Sequence, residues 1–545
     1  MKKWFDSGHP WIWLNAGAVS IALVAVFGLL FLILVRGMSH FWPANVEEFH
    51  YQNAQHSLTV IAEIIESETI PTNTLPNMEN QHGNITRYLV KTGNRDLLGN
   101  DFRWLYELDL IERSLPKEIM VLERIEWGNL YGYLEAIYEN NTIISNSDNI
   151  WDELEIRLSR TQDLRDEILG LEKDEIGAIN YQLERLRLKQ KSLQLNNKLT
   201  KNNVNKITNT RKKLKLKYNE LLKKTKVLYQ QIKRDKIEVK VMDGSVVTVP
   251  FEKIIKAWQP NKLNIFEKIV FYMGSIRSFI MEDPREANTE GGVFPAIFGT
   301  VLMVLLMAIM VTPLGVIAAV YLREYAKQGL LTRVIRITVN NLAGVPSIVY
   351  GVFGLGFFVY FIGGNIDDLF FSETKPSPTF GTPGLLWSSL TLALLTLPVV
   401  IVATEEGLSR IPTSLREGSL GLGATKAETL WRIVLPMASP AIMTGLILAI
   451  ARAAGEVAPL MLVGVVKLAP SLPIDGNFPY LHLDRQFMHL GFHIYDVGFQ
   501  SPNVEAARPL VYATSFLLVL VIVSLNLTAI NMRNKLREKY RGLDS

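Results

Sequence analysis

The stretch Ser414-Leu-Arg-Glu417-Gly418-Ser419-Leu-Gly-Leu-Gly423-Ala-Thr-Lys-Ala-Glu-Thr-Leu-Trp-Arg-Ile433-Val434-Leu435-Pro436 lies between two long apolar runs, near 384–403 and 441–466. Its first half reads as a short amphipathic helix that breaks at Gly423, a residue free to take backbone angles others avoid. A second short helix is expected to follow and to end before Pro436, which restrains the entry to the next apolar run. Such a rigid elbow can pass motion from a neighbouring molecule into membrane helices. The plainer alternative is an ordinary basic loop.

Outward from the elbow, the apolar runs set the architecture. A bilayer core needs roughly 20 apolar residues in a helix, because no water is there to satisfy the backbone. Six stretches qualify: about Leu14 to Val35, then 295–321, 340–363, 384–403, 441–466 and 509–530. The first is followed by Arg36 and by no small-residue cleavage site, so it reads as a span and not as a cleaved signal. Lys and Arg mark the cytoplasmic side of short loops. Lys2 and Lys3 precede the first span. Arg323, Lys327, Arg333 and Arg336 separate the second and third, and Arg410, Arg416, Lys426 and Arg432 separate the fourth and fifth. Arg533, Lys535, Arg537, Lys539 and Arg541 follow the last. The alternate loops carry only Lys375, Lys467, Arg485 and Arg508, which is fifteen basic residues against four. Both termini are therefore expected in the cytoplasm, and the insertion after the first span in the periplasm.

The 545 residues are 48% hydrophobic and 20% charged, but this average hides a division. Residues from about 41 to 290 are polar, whereas apolar runs flank them. A net charge of +4 gives no large field, and the absence of cysteine excludes disulfides, zinc fingers and thiol catalysis. The run Gly421-Leu-Gly-Ala-Thr-Lys426 lacks the spacing of a phosphate loop, so any ATP would be bound by another chain. No catalytic dyad or triad is present. His482, His489 and His493 cluster at irregular spacing, and no metal site is expected from them.

Within the insertion, Leu164, Ile168, Leu171, Ile176, Ile179, Leu183, Leu186 and Leu193 approximate a heptad stripe with one slip near Glu175. A second stripe is cleaner: Leu214, Tyr218, Leu221, Thr225, Leu228 and Ile232. The Asn-rich stretch from Asn196 to Thr210 favours a break between them. An antiparallel coiled-coil hairpin over about 151–236 is expected. Its arms differ in sign: residues 151–190 hold ten acidic and seven basic side chains, and 201–240 hold three and fourteen. Ile237-Glu-Val-Lys-Val, Asp243-Gly244 and Val246-Val-Thr-Val249 read as a β-hairpin over about 237–250. Trp104, Leu108, Leu110, Ile119, Val121 and Trp127 are candidates for a modest core. The insertion reads as a solvated structural arm, as a dock for a substrate-binding protein or regulator, or as a basic lure for anions. Nucleic acid is not an expected partner in that compartment.

The elbow resembles the coupling loop of ABC importer permeases: Glu-Ala-Ala, three residues, Gly, nine residues, Ile-x-Leu-Pro. Glu417-Gly418-Ser419 stands for Glu-Ala-Ala, and Gly423, Ile433, Leu435 and Pro436 keep every spacing. Two further segments, Asn341-Leu-Ala-Gly344-Val-Pro346-Ser347-Ile-Val-Tyr350-Gly351-Val-Phe353-Gly354 and Ile450-Ala-Arg452-Ala-Ala-Gly455-Glu456-Val-Ala-Pro459, resemble the A-type permease family (PstA) of phosphate-specific ABC importers. The resemblance covers roughly 290–535. The Ala257-Trp258-Gln259-Pro260-Asn261 stretch and the insertion before it look like the enlarged variant of that subunit.

The resemblance implies a type I permease fold: six transmembrane α-helices with a large α+β soluble insertion. It implies the membrane subunit of an ATP-driven phosphate importer, not itself catalytic, in the bacterial inner membrane. It further implies a homologous permease partner of the PstC type, two cytoplasmic ATPase subunits of the PstB type that use ATP and magnesium, and a periplasmic phosphate-binding protein of the PstS type. Membrane lipids surround the spans. The chain would divide into 1–40 (tip and first span), 41–290 (insertion), 291–535 (five-helix core, with the coupling loop at 405–436) and 536–545 (tail). Rival readings are a permease for sulfate or molybdate, and a coiled-coil sensor or scaffold.

Arg452 and Glu456 are ionisable groups within an apolar run, where each is costly unless it faces a partner or a watered path. Four residues apart on a helix, they are placed to pair, and Gly455 would let another backbone approach. A guanidinium matches phosphate oxygens with a planar fork, so Arg452 is a candidate substrate contact, with Glu456 holding it when the path is empty. The pair reads equally as a lock on helix packing. Ser347 and its neighbours could offer backbone amides to an anion at a broken helix end, or Gly344, Ser347 and Gly351 could allow close packing.

Overall fold

The computed structural model describes residues 7–53, 56–71, 84–99, 101–145, 149–501 and 504–540. Lys2, Lys3 and Arg541 lie outside them. Among the described residues, six helices are long and apolar enough to cross a membrane: Trp11–Ser39, Phe294–Tyr325, Ser347–Phe370, Leu385–Ser409, Lys426–Gly455 and Ala507–Glu538. The first is α1 (His9–Ser39), which exposes nearly all its apolar side chains. That is the pattern of a helix surrounded by lipid.

The insertion begins with two antiparallel sheets. One has five strands in the order β4 (Phe102–Tyr106), β3 (Asn84–Lys91), β2 (His56–Pro71), β1 (Val46–Asn53), β5 (Leu110–Ser114). The second is β10 (Val246–Pro250), β9 (Asp235–Lys240), β7 (Asn129–Glu139), β6 (Met120–Arg124), β11 (Ile254–Trp258), with β8 (Thr142–Ser145) paired to β7. β9 and β10 are joined through Asp243-Gly244, where Gly244 has a φ of 80°. Of the six candidate core residues, Ile119 and Val121 are buried, while Leu108 and Trp127 are exposed. Trp127 (φ 73°) occupies the tight turn between β6 and β7, and Leu108 the turn between β4 and β5. Trp104 is half-buried beneath the Arg87 guanidinium at 4.2 Å. Its neighbour Leu105 is the buried one, because side chains alternate faces along a strand.

A helical hairpin interrupts the second sheet. Its first arm is α2 (Ile150–Leu169), a π-helical turn at Gly170–Ile176, and α3 (Gly177–Leu195); its second is α4 (Lys201–Ile232). The π turn falls where the apolar stripe slips near Glu175, and its extra residue returns Ile176 and Ile179 to the seam. The arms run antiparallel, with Lys224–Glu167 at 2.8 Å, Tyr229–Glu172 at 3.0 Å and Arg211–Gln190 at 3.1 Å. Ile168, Leu171, Ile176, Ile179, Leu221, Leu228 and Ile232 fill the seam. The break is shorter than expected. The Thr200 hydroxyl accepts from the Asn203 N–H and starts α4 there, so 201–210 is helical.

α5 (Ile265–Met281) follows the second sheet and leads to the permease core. That core comprises α6 (Phe294–Val320, extended by a π turn to Tyr325), α7 (Leu330–Leu342), α8 (Ser347–Phe353, continuing to Phe370) and α9 (Leu385–Ser409). α10 (Thr413–Gly421), α11 (Lys426–Thr429), α12 (Leu435–Gly455), α13 (Leu490–Tyr495) and α14 (Val504–Tyr540) complete it. Met303, Met307, Val311, Leu392, Val400, Ala449 and Ala453 form the bundle's buried centre. A β-carbon at Gly445 would come within 2.6 Å of that of Ala403, so α12 and α9 touch at backbone distance.

Several boundaries differ from expectation, and the fifth span ends at Gly455 and not near 466. The third span starts at Ser347 and not near 340, because Pro346 cannot donate to a continued α7. The second helix of the elbow does not end before Pro436. α11 passes through a π turn at Leu430–Val434 into α12, so Pro436 lies inside one continuous helix, where it has no N–H to give to the preceding turn.

Candidate coupling and translocation site

α6 starts beside the insertion and, over 27 residues or about 40 Å of rise, ends at the elbow. The elbow is built from short-range chemistry. Gly423 adopts a φ of 87°, with open space where a β-carbon would lie. Thr425 and Glu428 form a reciprocal capping box that starts α11. Across the bend, the hydroxyls of Ser419 and Thr429 meet at 2.8 Å in a buried contact that fixes the angle between the two short helices. Beneath them Leu430 and Val434 pack on Leu408 and Ile411 at the end of α9.

Arg416 joins this unit to the spans. Its guanidinium donates to the carbonyls of Leu408 (2.7 Å) and Ile411 (3.0 Å) and pairs with the Glu324 carboxylate at 3.0 Å. Lys426 donates to the Glu324 carbonyl and sits 4.6 Å from the centre of the Tyr325 ring. Both halves of the elbow thus hold the end of α6. Nearby, Arg336 of α7 pairs with Glu405 of α9 at 3.1 Å. Glu417 and Gly418 face outward, and so do Leu422 (92% exposed) and Trp431 (76%), leaving an apolar, acid-tipped knob. Ile433, Leu435 and Pro436 are half-buried at the root of α12. Sequence reasoning named the outward residues but missed Glu324, Arg416, Lys426 and Thr429 as the frame. Their basic members entered only as topology charges.

The second cluster lies where α12 ends. Arg452 and Glu456 pair at 3.5 Å, with side chains 33% and 23% exposed. The helix stops at Gly455, and Glu456 is already extended (ψ 127°), so the pair spans a helix end and not a continuous face. Gly455 has open space around it and receives no neighbouring backbone. The close approach is at Gly351, whose β-carbon would lie 2.7 Å from the Pro459 Cα. The 341–354 and 452–459 segments therefore meet, and within the first the Tyr350 hydroxyl donates to the Leu342 carbonyl at 2.7 Å, tying α8 back to the end of α7. Ser347 is half-buried in the first turn of α8, directly after the break at Pro346. Gly344 meets nothing nearer than the Asn341 carbonyl at 3.5 Å, so it allows no close helix contact.

The three histidines do not converge. His482 pairs with Asp475 at 2.9 Å, and Arg485 reaches the same carboxylate at 2.6 Å. His489 and His493 are buried around α13.

Residues 311–537 match the family model described as binding-protein-dependent transport system inner membrane component. The phosphate transport system permease protein PstA 1 of Mycobacterium tuberculosis is 36% identical over 247 residues, 45% of this chain and 70% of that protein. The chain belongs to the PstA permease family. A phosphate transport system permease protein PstA of Yersinia pestis is 33% identical over 255 residues, 47% of this chain and 77% of that one. Among solved structures, an inward-facing MetNI methionine ABC transporter aligns with a TM-score of 0.33 and 17% identity, over 44% of this chain and 94% of that one. With its six apolar helices, this PstA relative is a multi-pass membrane protein, an ABC permease subunit whose family model matches C-terminal to the insertion.

Proposed function

We propose that this chain is the permease subunit of an ATP-driven importer of inorganic phosphate, working beside a homologous permease subunit and two separate ATPase subunits. The observation that carries the reading is the elbow: a knob at Glu417, Gly418, Leu422 and Trp431 that faces outward, on a frame anchored to α6, α9 and α12. Both termini and the elbow lie in the cytoplasm, and residues 41–290 in the periplasm, where a phosphate-binding protein delivers substrate. ATP binding closes the ATPases, the knob moves, and the frame carries that motion into three spans at once. The cargo assignment is supported by relatives whose names specify phosphate transport.

Arg452 serves as a transient contact for the oxyanion, and Glu456 holds the guanidinium between passages. A planar fork of donors suits a tetrahedral oxyanion, and partial exposure at a helix end leaves both groups accessible from a path. Ser347, at the first turn of α8, lines the same route. The test is uptake of labelled phosphate by the reconstituted complex with sulfate or molybdate as competitor. Competition by either at equal concentration assigns a different cargo. Wild-type uptake by Glu417→Lys removes the elbow's role.

A further inference from the structure

α5 turns the usual arrangement of an amphipathic helix around. A helix on a soluble protein points its apolar stripe inward and its polar face to water. Here the outward stripe is Ile265, Phe266, Ile269, Val270, Met273 and Met281, all exposed, with Phe266 at 77% and Val270 at 72%. The inward face carries Ser275, Ser278 and three aromatic rings. Phe279 packs on Phe41 at 5.0 Å, Tyr272 on Trp42 at 5.7 Å and Phe271 on Trp258 at 4.9 Å, while the Ser278 hydroxyl accepts from Lys256 at 3.4 Å. That inner face also lines a charged cavity of about 330 Å³ against the sheets. Left in water, the outer face would be a large unsolvated patch.

We infer that α5 is an interfacial helix whose outer face lies in the acyl region of the leaflet on the insertion's side of the membrane. Its surroundings select lipid over a protein partner. Phe41 and Trp42 follow directly on the end of α1 at Ser39, and α5 is tied there a second time by Lys268 donating to Asn45 at 2.6 Å. At its other end, Glu282 to Val293 lead straight into α6. Phe279 and Val293 share one buried cluster with Leu510, Ala513 and Leu517 of the last span. The apolar stripe is thus held level with the ends of three membrane helices, continuous with surface that lipid already covers. Trp42, Tyr272 and Trp258 stand where rings with an apolar body and a polar tip settle. Arg277, exposed on the outer stripe, has a stem long enough to carry its charge to lipid phosphates. Basic and large apolar residues on one helix make an interface-seeking element. Because β11 rides on α5 through Trp258 and Lys256, this contact fastens the insertion to the bilayer and keeps it from swinging free.

The chain has no cysteine, so a nitroxide can be placed at a single engineered site. Val270→Cys and Met273→Cys are labelled in the full-length protein reconstituted in phosphatidylethanolamine–phosphatidylglycerol vesicles, with Ser245→Cys in the exposed β9–β10 turn as the aqueous reference. Power saturation then compares access of oxygen and of a water-soluble nickel chelate. The expected result is oxygen exceeding nickel at 270 and 273 and the reverse ratio at 245. Nickel exceeding oxygen at both outer positions overturns the inference by showing water. An immobilised label that neither reagent reaches overturns it by showing a protein cover.

Discussion

Arg416, in the first helix of the elbow, and Glu324, at the end of α6, stand 3.0 Å apart in one ion pair, although 92 positions separate them in the chain. The Arg416 side chain is 18% exposed and that of Glu324 12%, so the charges are largely withdrawn from water. Two carbonyls at the end of α9 each accept from one of its terminal nitrogens, and the guanidinium therefore clasps two spans. Arg416→Ala should leave the Glu324 carboxylate and both carbonyls without their donor, costing about 1–3 kcal/mol locally. The complex should still bind its ATPases, but nucleotide hydrolysis in proteoliposomes should outrun phosphate uptake. Equal losses in both rates would show that the contact serves assembly instead.

Gly423 calls for a different substitution. Its positive φ excludes most side chains, yet no neighbour crowds it. Gly423→Val should carry a conformational cost of roughly 1–2 kcal/mol and impair uptake, whereas Gly423→Asn should be tolerated, because asparagine visits this region. Indistinguishable uptake by the two variants would mean that the bend has no specific backbone requirement.

At the end of α12 the charge and the packing can be separated. Arg452→Gln removes the charge and keeps much of the stem. Uptake should fall by about tenfold or more, the equivalent of about 1.4 kcal/mol. The double exchange Arg452→Glu with Glu456→Arg keeps an ion pair but moves the guanidinium. If the pair only locks helices, the exchange should transport like wild type; if Arg452 meets the oxyanion, it should not.

Glu290, in the loop between α5 and α6, supplies a pH signature in the insertion. Burial pushes its pKa up to about 7, with Glu286 and Glu123 adding to the rise and Lys91 opposing it. The folded state thus holds a proton there that the unfolded chain, near 4.5, releases. The contribution to stability is complete below 4.5 and is lost as pH climbs through 7. Thermal melts of wild type and Glu290→Gln should therefore differ little at pH 4.5, and the variant should be the more stable at pH 8. A difference that is independent of pH would show that Glu290 stays ionised in the fold.

Much of the membrane architecture could be read from residue order alone, because runs of some twenty apolar residues have few other uses. The insertion's sheets could not. Strand β2 reads Glu63, Glu66 and Glu68 among its apolar positions, and a bulge between Ile64 and Glu66 breaks the alternation. The π turn at Leu430–Val434 is equally silent, since it adds a residue without a composition of its own, whereas the one at Gly170–Ile176 left a trace as the slip of the apolar stripe near Glu175. For the elbow, spacing located the outward knob, but the partners that hold it came from elsewhere in the chain. Nothing near Arg416 announces Glu324. Gly455 was misjudged because a glycine's freedom and a glycine's crowding look alike in a sequence; of Gly344, Gly351 and Gly455 it is Gly351 that is crowded.

The hairpin does not stand clear of the permease. Tyr181 of α3 donates its hydroxyl to the Phe478 carbonyl at 2.6 Å and sets its ring edge against His482, while ten residues along the same helix Lys191 donates to the Lys375 carbonyl at 2.5 Å. Those two footholds belong to separate loops, one between the third and fourth spans and one between the fifth and sixth. A single stiff rod of fixed length, about 15 Å from one foothold to the other, therefore braces two parts of the bundle. Any rearrangement that parts those loops must lift the rod off one of them, and any that keeps both contacts must move the loops as one.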